Sequence, residues 1–483
     1  MRGHRITLPR SLGEELSSWL SSHPDGHERG AFVLFRKFDR PTSDIEVSAR
    51  YVAVETIRLE DEWVIGSSPV HLRINLRKLP PLYLRCEQEG LELGFVHSHP
   101  TGAHNFSAKD DQNEQSILRG YAGCNGVDVC LVAMIFVDDQ WIARCRLGSI
   151  PDQTQAVRHV AVVTESLNVH LPQNSGLVSD IQKRQEAAFG KPFNRKLASL
   201  RVAVVGAGGT GSSVATLLAR AGVGEIVIID GDALEASNLN RVRGYRLRDV
   251  GQNKAKTLAN YIRDLELPIS VSYVEEYLNV SPDGIDVLSG CDVVFGCTDD
   301  VAGRDLMNQA LYYYCLVYID TGLTGLIDHD SDHQPYLRDH RGRVSTILPE
   351  HGSCLRCQRV VTEDKLKYEQ ALRENPDLAN LDAETLKREY YLTGGGESAP
   401  GVGPFTSATA DFAVASLMNL IRPYRKIDTD LRQDNIWYDF VHLHIHSNMP
   451  IIDSDCFCCG SPGLRNAAEG GYRLGMPQLG KIK

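Results

Sequence analysis

Two histidines separated by one residue could bind a metal ion. His97 and His99 lie in the run Gly-Phe-Val-His-Ser-His-Pro, and Ser107 and Asp110 follow them. Side chains alternate along a strand, so both imidazoles point to one face. Two neutral histidines and one carboxylate leave a tetrahedral position open for water, which is typical of a catalytic zinc site. Zinc would lower the pKa of that water from about 15.7 toward roughly 7 and supply hydroxide at neutral pH.

This spacing resembles the JAMM motif of the JAB/MPN metalloproteases, which cleave isopeptide or peptide bonds after ubiquitin-like proteins. The resemblance implies a cytidine-deaminase-like α/β domain over residues 1–150. It assigns zinc binding to His97, His99 and Asp110, general acid/base catalysis to Glu28, and stabilisation of the oxyanion to Ser107. The alternative is a chance pair of histidines in a solvated turn. Every motif position is filled, which favours an active enzyme.

A glycine cluster further along the chain could bind phosphate. Gly206, Gly208 and Gly209 separate a β-branched run from a predicted helix. Backbone N–H groups at such a turn attract an anion, and glycine lets it approach closely. Asp230 ends the next predicted strand, where a carboxylate can accept ribose hydroxyls. Enzymes that use ATP, NAD or FAD share these features.

Charged residues around the glycine cluster favour ATP. An arginine and a lysine near ATP neutralise charge at the α-phosphate, and an aspartate can hold magnesium. The ordered series resembles the ThiF/MoeB and ubiquitin-activating adenylyltransferase family over about residues 181–460. The resemblance implies that phosphates are contacted by Gly206, Gly208, Gly209, Asn238, Arg241 and Lys254. It assigns the ribose to Asp230 and magnesium to Asp299. Arg184 matches an arginine that family members insert into the partner subunit's site, which implies a homodimer.

Two CxxC pairs indicate a second metal site. They are Cys354 with Cys357 and Cys456 with Cys459. The pairs fit the family's structural zinc, and four thiolates form a closed site that serves stability. Cys458 is the spare thiol. The wide separation of the pairs is explained by a helical insert over about residues 360–396.

A cysteine is missing where ubiquitin-activating enzymes form a thioester. No cysteine occurs over residues 358–455, and Cys315 lies in an apolar run that indicates core. We therefore expect the chain to make an acyl-adenylate without a conventional thioester of its own. A partner thiol, hydroxyl or sulfur donor would take the acyl group.

Strand and helix patterns divide the chain into two domains. From Leu200 onward strands and helices alternate, which predicts a doubly wound parallel sheet of Rossmann-like type. The adenylation domain is expected over residues 181–483. Residues 151–180 are predicted to be a connector with one strand at His159–Val163, and His71–Gln88 is predicted to be a helix.

Composition narrows the function classes. The 483 residues carry a net charge of −11, with a pI near 5.8. This balance argues against general binding to nucleic acid or anionic membranes. No apolar run approaches the roughly 20 residues of a membrane span, and the basic N-terminus lacks the apolar core of a secretion signal. A cytoplasmic location is the expectation.

Together these features predict a bifunctional enzyme of a bacterial-type ubiquitin-like modification pathway. It would use ATP, magnesium and two zinc ions, one catalytic and one structural. Its expected partner is a ubiquitin-like protein with a glycine terminus, and a conjugating-enzyme-like carrier could follow. One alternative is activation of a sulfur-carrier protein for cofactor or amino-acid biosynthesis. Another is a non-catalytic scaffold, which predicts missing ligand residues, and none is missing.

Overall fold

Two eight-stranded sheets organise the chain in the computed structural model. The structure describes residues 3–39, 48–173, 180–390, 392–393, 401–425, 435–447, 450–460 and 473–476. Across those residues no helix is long and apolar enough to cross a membrane.

The described residues of the first domain form ten strands and three α-helices. In chain order they are β1 His4–Pro9, α1 Arg10–Ser21, β2 Gly30–Asp39, β3 Ala49–Arg58, β4 Val64–Ser68, β5 His71–Ile74, α2 Pro80–Glu89, β6 Glu92–Ser98, α3 Ala108–Asn125, β7 Cys130–Val137, β8 Gln140–Leu147, β9 Gln155–Val163 and β10 Leu167–His170. The sheet order is β1-β3-β2-β6-β7-β8-β9-β10, and β1 also pairs with β9. One apolar face packs on α1 and the other on α2 and α3, so every residue of β7 is buried.

Two local predictions in this domain are wrong. The strand predicted at His159–Val163 is confirmed as part of β9, but the segment 151–180 is not only a connector, because β9 begins at Gln155, β10 follows, and both complete the first sheet. The parallel partner of β9 is β1, about 150 residues earlier, and no local pattern reveals such a pairing. The helix predicted from His71 begins only at Pro80, because proline suits the first turn of a helix, and β5 precedes it.

The second domain has the predicted doubly wound architecture. Its elements are α4 Lys183–Phe189, α5 Lys191–Ser199, β11 Arg201–Val205, α6 Gly209–Ala221, β12 Glu225–Ile229, α7 Lys254–Arg263, β13 Ser270–Val274, α8 Pro282–Ser289, β14 Val293–Gly296, α9 Val301–Tyr313, β15 Val317–His329, β16 Pro335–Ile347, α10 Glu363–Glu374, α11 Ala383–Glu389, α12 Gly403–Ile421, β17 Asn435–Asp439 and β18 His444–Ser447.

Helices cover both faces of the second sheet. The order is β13-β12-β11-β14-β15-β16-β17-β18, parallel from β13 to β15 and antiparallel beyond. One apolar face packs on α6, α7 and α12, the other on α8 and α9. β11 is buried throughout, as expected of a central parallel strand. The α/β Rossmann-like prediction for this domain is therefore confirmed.

Buried arginines join the two domains. Arg5 on β1 donates to the Gly290 carbonyl (2.7 Å), at the end of α8. Arg50 on β3 donates to the carbonyls of Tyr314 (2.7 Å) and Cys315 (2.6 Å), at the end of α9. The last carbonyls of a helix have no partner within it. The first domain thus caps two helices of the second.

Asp292 is the anion at the centre of this contact. It lies at the amino end of β14 and accepts the backbone N–H of Arg201 (2.8 Å). Around it stand Arg5 at 3.4 Å, Arg50 at 3.9 Å and His159 at 3.4 Å, all buried. Burial opposes ionisation of Asp292, but its contacts with Arg5, His159 and Arg50 outweigh burial and hold its pKa well below the usual value.

Candidate functional sites

The predicted metal ligands converge at the end of β6. His97 pairs in register with Gly30 at the start of β2, and Asp110 opens α3. The Nε2 atoms of His97 and His99 are 3.0 Å apart. Asp110 Oδ1 lies 3.0 Å from His97 Nε2, and its Oδ2 lies 3.5 Å from His99 Nε2. All three residues are buried.

This donor set fits a divalent cation. His99 Nδ1 lies 2.7 Å from the Ala103 carbonyl, so in the neutral ring Nδ1 carries the proton and Nε2 presents its lone pair. That lone pair faces another imidazole nitrogen and a carboxylate. Ligands at about 2.0–2.1 Å from zinc in a tetrahedron stand roughly 3.3 Å apart, close to the observed separations.

Glu28 lies beside this group, just before β2. Its backbone N–H donates to the Ser68 carbonyl (2.9 Å), and the residue is 6% exposed. Burial raises the pKa of Glu28, while His97 and His99 oppose that shift. It lines a cleft of about 490 Å³ together with Trp19, Leu59 and Leu72. A carboxyl so placed can hold or release a proton next to bound water.

Ser107 has a structural role that the sequence analysis did not assign. Its Oγ accepts the Asp110 N–H (3.2 Å), and Asp110 Oδ2 accepts the Ser107 N–H (2.6 Å), which is a capping box. One turn further, Glu114 binds Arg146 (2.7 Å) and Arg144 (2.8 Å) on β8. The cap and these ion pairs fix the start of α3 against the sheet.

The predicted phosphate-binding turn lies at the carboxyl edge of the second sheet. Gly206 follows β11 with a positive φ of 91°, and a Cβ there would stand 2.7 Å from the Cys297 carbonyl oxygen. Gly208 caps α6, with open space where its Cβ would be. Gly209 faces Arg241, whose Cγ would be 3.2 Å from a Cβ at that position. The turn therefore has free space at Gly208, and the Arg241 side chain borders it at Gly209.

Asp230, directly after β12, supports this turn. It is buried, and its Oδ2 accepts the Ala207 N–H (2.6 Å) while Oδ1 accepts the Asp232 N–H (2.8 Å). Burial raises the pKa of Asp230, and the two N–H groups oppose that shift. Asn238 is also buried and accepts the Glu235 N–H (3.2 Å).

Lys254 has a partner that the sequence analysis missed. Its Nζ binds Asp232 Oδ2 (2.8 Å), and the Tyr277 hydroxyl donates to Asp232 Oδ1. Tyr277 lies after β13, 54% exposed, and its ring is next to Gly231. The Asp-Gly-Asp run signals Asp232, but no sequence signal marks Tyr277.

Asp299 and Arg184 are both exposed. Asp299 follows β14 in the loop before α9. Arg184 lies on α4, and the structure brings no other predicted site residue to it within one chain.

A buried polar network underlies the Asp299 loop, and the sequence analysis missed it. Asp320 on β15 binds Arg343 on β16, accepts the Tyr318 hydroxyl (2.7 Å), and lies 3.5 Å from Arg304 on α9. Ser345, another contact of Arg343, donates to Gln358 (2.6 Å). Gln358 directly follows Cys357, so the network links the cysteine cluster to this sheet edge.

The four cysteines of the two CxxC pairs come together. Their sulfurs lie within 4.8 Å of one another, at 3.6 Å for Cys354 and Cys456 and 3.4 Å for Cys357 and Cys459. Tetrahedral zinc with Zn–S bonds of about 2.3 Å places sulfurs roughly 3.8 Å apart, so the group fits zinc. The predicted insert contains α10 and α11, while Gly394, Gly395 and Gly396 lie outside the described residues.

The model of the ThiF family matches residues 182–458, and this chain belongs to that family. The match begins after the first domain, so the JAB/MPN assignment stays a prediction.

Similarity to curated proteins is confined to part of the chain. The SAMP-activating enzyme E1 of Haloferax volcanii is 34% identical over 162 residues, which cover 34% of this chain and 54% of that protein. The adenylyltransferase and sulfurtransferase uba4 of Emericella nidulans is 39% identical over 122 residues, 25% of each chain. The adenylyltransferase and sulfurtransferase MOCS3-1 of Zea mays is 37% identical over 174 residues, 35% of this chain and 36% of that one. The chain thus spans about half or less of these relatives.

Solved structures are similar at lower identity. A crystal structure of E. coli MccB with ATP is 21% identical, with a TM-score of 0.43, over 59% of this chain and 75% of that one. The crystal structure of PaaA is 18% identical, with a TM-score of 0.41, over 59% and 87%.

Proposed function

We propose that the second domain adenylates the C-terminal carboxylate of a ubiquitin-like or sulfur-carrier protein. The observation that carries this proposal is the turn at Gly206–Gly209 with Arg241 across it and Asp230 beneath it. ThiF family membership agrees with it.

In the proposed reaction, a carboxylate oxygen of the carrier attacks the α-phosphorus of ATP. The new C–O–P linkage forms as the bond from the α-phosphorus to the bridging oxygen breaks, and pyrophosphate leaves. Arg241 and Lys254 would neutralise charge that builds on the phosphates. Asp299 would hold magnesium, which supplies further positive charge at the phosphates.

A sulfur carrier is the better-supported substrate of the two. Two of the relatives above are named adenylyltransferase and sulfurtransferase, and the chain has no cysteine over residues 358–455. An adenylate without a following thioester suits transfer to an external sulfur donor. Conjugation to protein is the alternative, in which a conjugating-enzyme-like carrier takes the acyl group.

The test is ATP–pyrophosphate exchange with candidate carriers that end in glycine. Exchange should require both ATP and the carrier, and Arg241→Ala should reduce it about 100-fold or more, as expected when a charged transition-state contact is lost. Arg248→Ala is the matched control, because that arginine is 74% exposed. Exchange that persists at the wild-type rate in Arg241→Ala would refute the assignment.

A second function is favoured by the geometry of His97, His99, Asp110 and Glu28. We propose that the first domain is a zinc hydrolase that cleaves a peptide or isopeptide bond after a ubiquitin-like protein. The two histidines and Asp110 would hold the ion. Bound zinc would supply an acidic water and polarise the scissile carbonyl. Glu28 would accept the proton of that water and deliver it to the leaving amine, and the Ser107 hydroxyl would donate to the developing oxyanion.

Measurements of zinc content and of cleavage distinguish the role of Glu28 from that of the metal ligands. Glu28→Gln should keep its zinc and lose cleavage of a carrier with a C-terminal extension, whereas His97→Ala should lose both. Glu60→Gln, an exposed residue of the same cleft, is the control. Cleavage by His97→Ala at the wild-type rate would end this proposal.

We also propose that the chain acts as a homodimer, with Arg184 reaching the partner subunit's nucleotide site. An equal mixture of Arg184→Ala and Arg241→Ala chains should recover part of the exchange that each lacks alone. A sedimentation experiment that shows a monomer at the concentration used in the exchange assay would contradict the homodimer.

A further inference from the structure

A cleft between the two domains has the form of a ligand site. Its volume is about 540 Å³, within the roughly 300–1,000 Å³ typical of small-molecule sites. One wall is formed by Asp139 in the turn from β7 to β8, Gln140 at the start of β8 and His170 at the end of β10. Arg195 and Lys196 on α5 form the other. We call it the seam cleft.

The seam cleft is separate from the nucleotide edge. Lys196 and Arg422 are close enough to interact electrostatically, and Arg422 directly follows α12. The other end of that helix, at Thr406, lies beside Gly209. A helix of 19 residues is about 28 Å long, so α12 separates the two places.

Positive charge in the seam cleft exceeds negative charge. Arg195 and Lys196 are half-buried, and in the described part of the chain neither has an ion pair. The Nε of Arg195 is buried without a hydrogen-bond partner. Asp139 is the one carboxylate among the described residues that line the cleft, and it is exposed.

Burial and nearby positive charge act against the charged forms of two basic side chains in the cleft. Burial and then Arg422 lower the pKa of Lys196. Burial and then Lys196 lower the pKa of His170 to about 4. A bound anion would offset the repulsion between Lys196 and Arg422 and accept hydrogen bonds from the Lys196 ammonium and the Arg195 guanidinium.

We propose that the seam cleft binds a small multivalent oxyanion of the phosphate or pyrophosphate type. Lys196 and Arg195 bind its oxygens from the second domain, and Gln140 and His170, 3.3 Å apart at Oε1 and Nδ1, border it from the first. A phosphate oxyanion fits because a guanidinium edge and an adjacent ammonium provide several donors to one group. The proposal does not depend on either activity proposed above.

Calorimetry with inorganic pyrophosphate tests the proposal. The full chain is first saturated with a non-hydrolysable ATP analogue, so that the nucleotide edge is occupied. The wild-type chain should then bind one further pyrophosphate per chain. Lys196→Gln and Arg195→Gln should each weaken that binding about tenfold or more, the loss expected for a charged hydrogen bond.

Three variants control for charge and folding. Lys191→Gln removes an exposed lysine of the same helix and should leave the affinity unchanged, while Lys196→Arg should retain binding. Asp139→Asn should tighten binding because it removes the carboxylate, and asparagine tolerates the positive φ of 56° at this position.

Each other outcome overturns the proposal. No pyrophosphate heat in the wild-type chain, or equal affinity in Lys196→Gln, would show that the cleft is not an anion site. Citrate binding without pyrophosphate binding would replace the phosphate class by a carboxylate class.

Discussion

The Asp292 contact between the domains gives the sharpest stability prediction. Asp292→Asn keeps the size of the side chain and its hydrogen-bonding oxygen but removes the charge that faces Arg5, Arg50 and His159. The side chains of these four residues are at most 2% exposed, so solvent does not screen their charges. Breaking a buried ion pair by removing one partner costs about 3–5 kcal/mol.

This loss of stability corresponds to a fall in the melting temperature, which calorimetry measures. A chain of this length has an unfolding entropy of about 1 kcal/mol per kelvin, so the expected fall in Tm is about 3–5 °C in a single transition. Asp152→Asn, at an exposed turn, should change stability by less than about 0.5 kcal/mol. A shift no larger than that of the control would refute the reasoning.

The pH dependence of this effect has a definite sign. The folded-state pKa of Asp292 is depressed, so its contribution is fully present above its unfolded pKa of about 3.9 and is lost as the pH falls through the folded-state value. The gap between the wild-type chain and Asp292→Asn should therefore be constant near neutral pH and shrink in strong acid. A gap that widens on acidification would contradict the assignment.

Three further predictions test other parts of the chain. Gly206→Ala should impair ATP–pyrophosphate exchange at least about tenfold, because its Cβ would meet the Cys297 carbonyl oxygen at 2.7 Å. Gly251→Ala is the control: Gly251 has a similar φ of 88° and open space around it. That change should cost only the strain of the positive φ, about 1–2 kcal/mol of stability. Asp320→Asn should destabilise the fold by about 3–5 kcal/mol and reduce exchange, since Arg304 and Arg343 then lack their anion; unchanged melting would contradict this. Cys354→Ser should lower the zinc content by one equivalent and lower the Tm, whereas a zinc content equal to that of the wild-type chain by mass spectrometry would exclude the tetrathiolate site.

The sequence predicted the features that depend on local spacing. His97 and His99 share a strand face because of period two, and the glycine turn follows a buried strand as expected. The two CxxC pairs meet although about 100 residues separate them, because thiol spacing identifies each half of such a site.

Features that depend on distant pairing were missed. β9 joins β1 across about 150 residues, and Arg50 caps α9 from another domain. Asp320 and Arg343 meet only through the antiparallel pairing of β15 and β16. Single buried charges in apolar strands carry no periodic signal, so only the folded chain shows what neutralises them.

The position of the domain contact has a consequence for any protein handled by both sites. In β2, Gly30 lies beside His97, and Phe38, eight residues later, packs on Tyr314 of the second domain. Those eight residues of strand span about 26 Å. Asp292 meets the first domain at the amino end of β14, whereas Gly206 and Cys297 follow the carboxyl ends of β11 and β14. The contact therefore lies between the two proposed sites, so a carrier tail that used both would have to leave one before it entered the other.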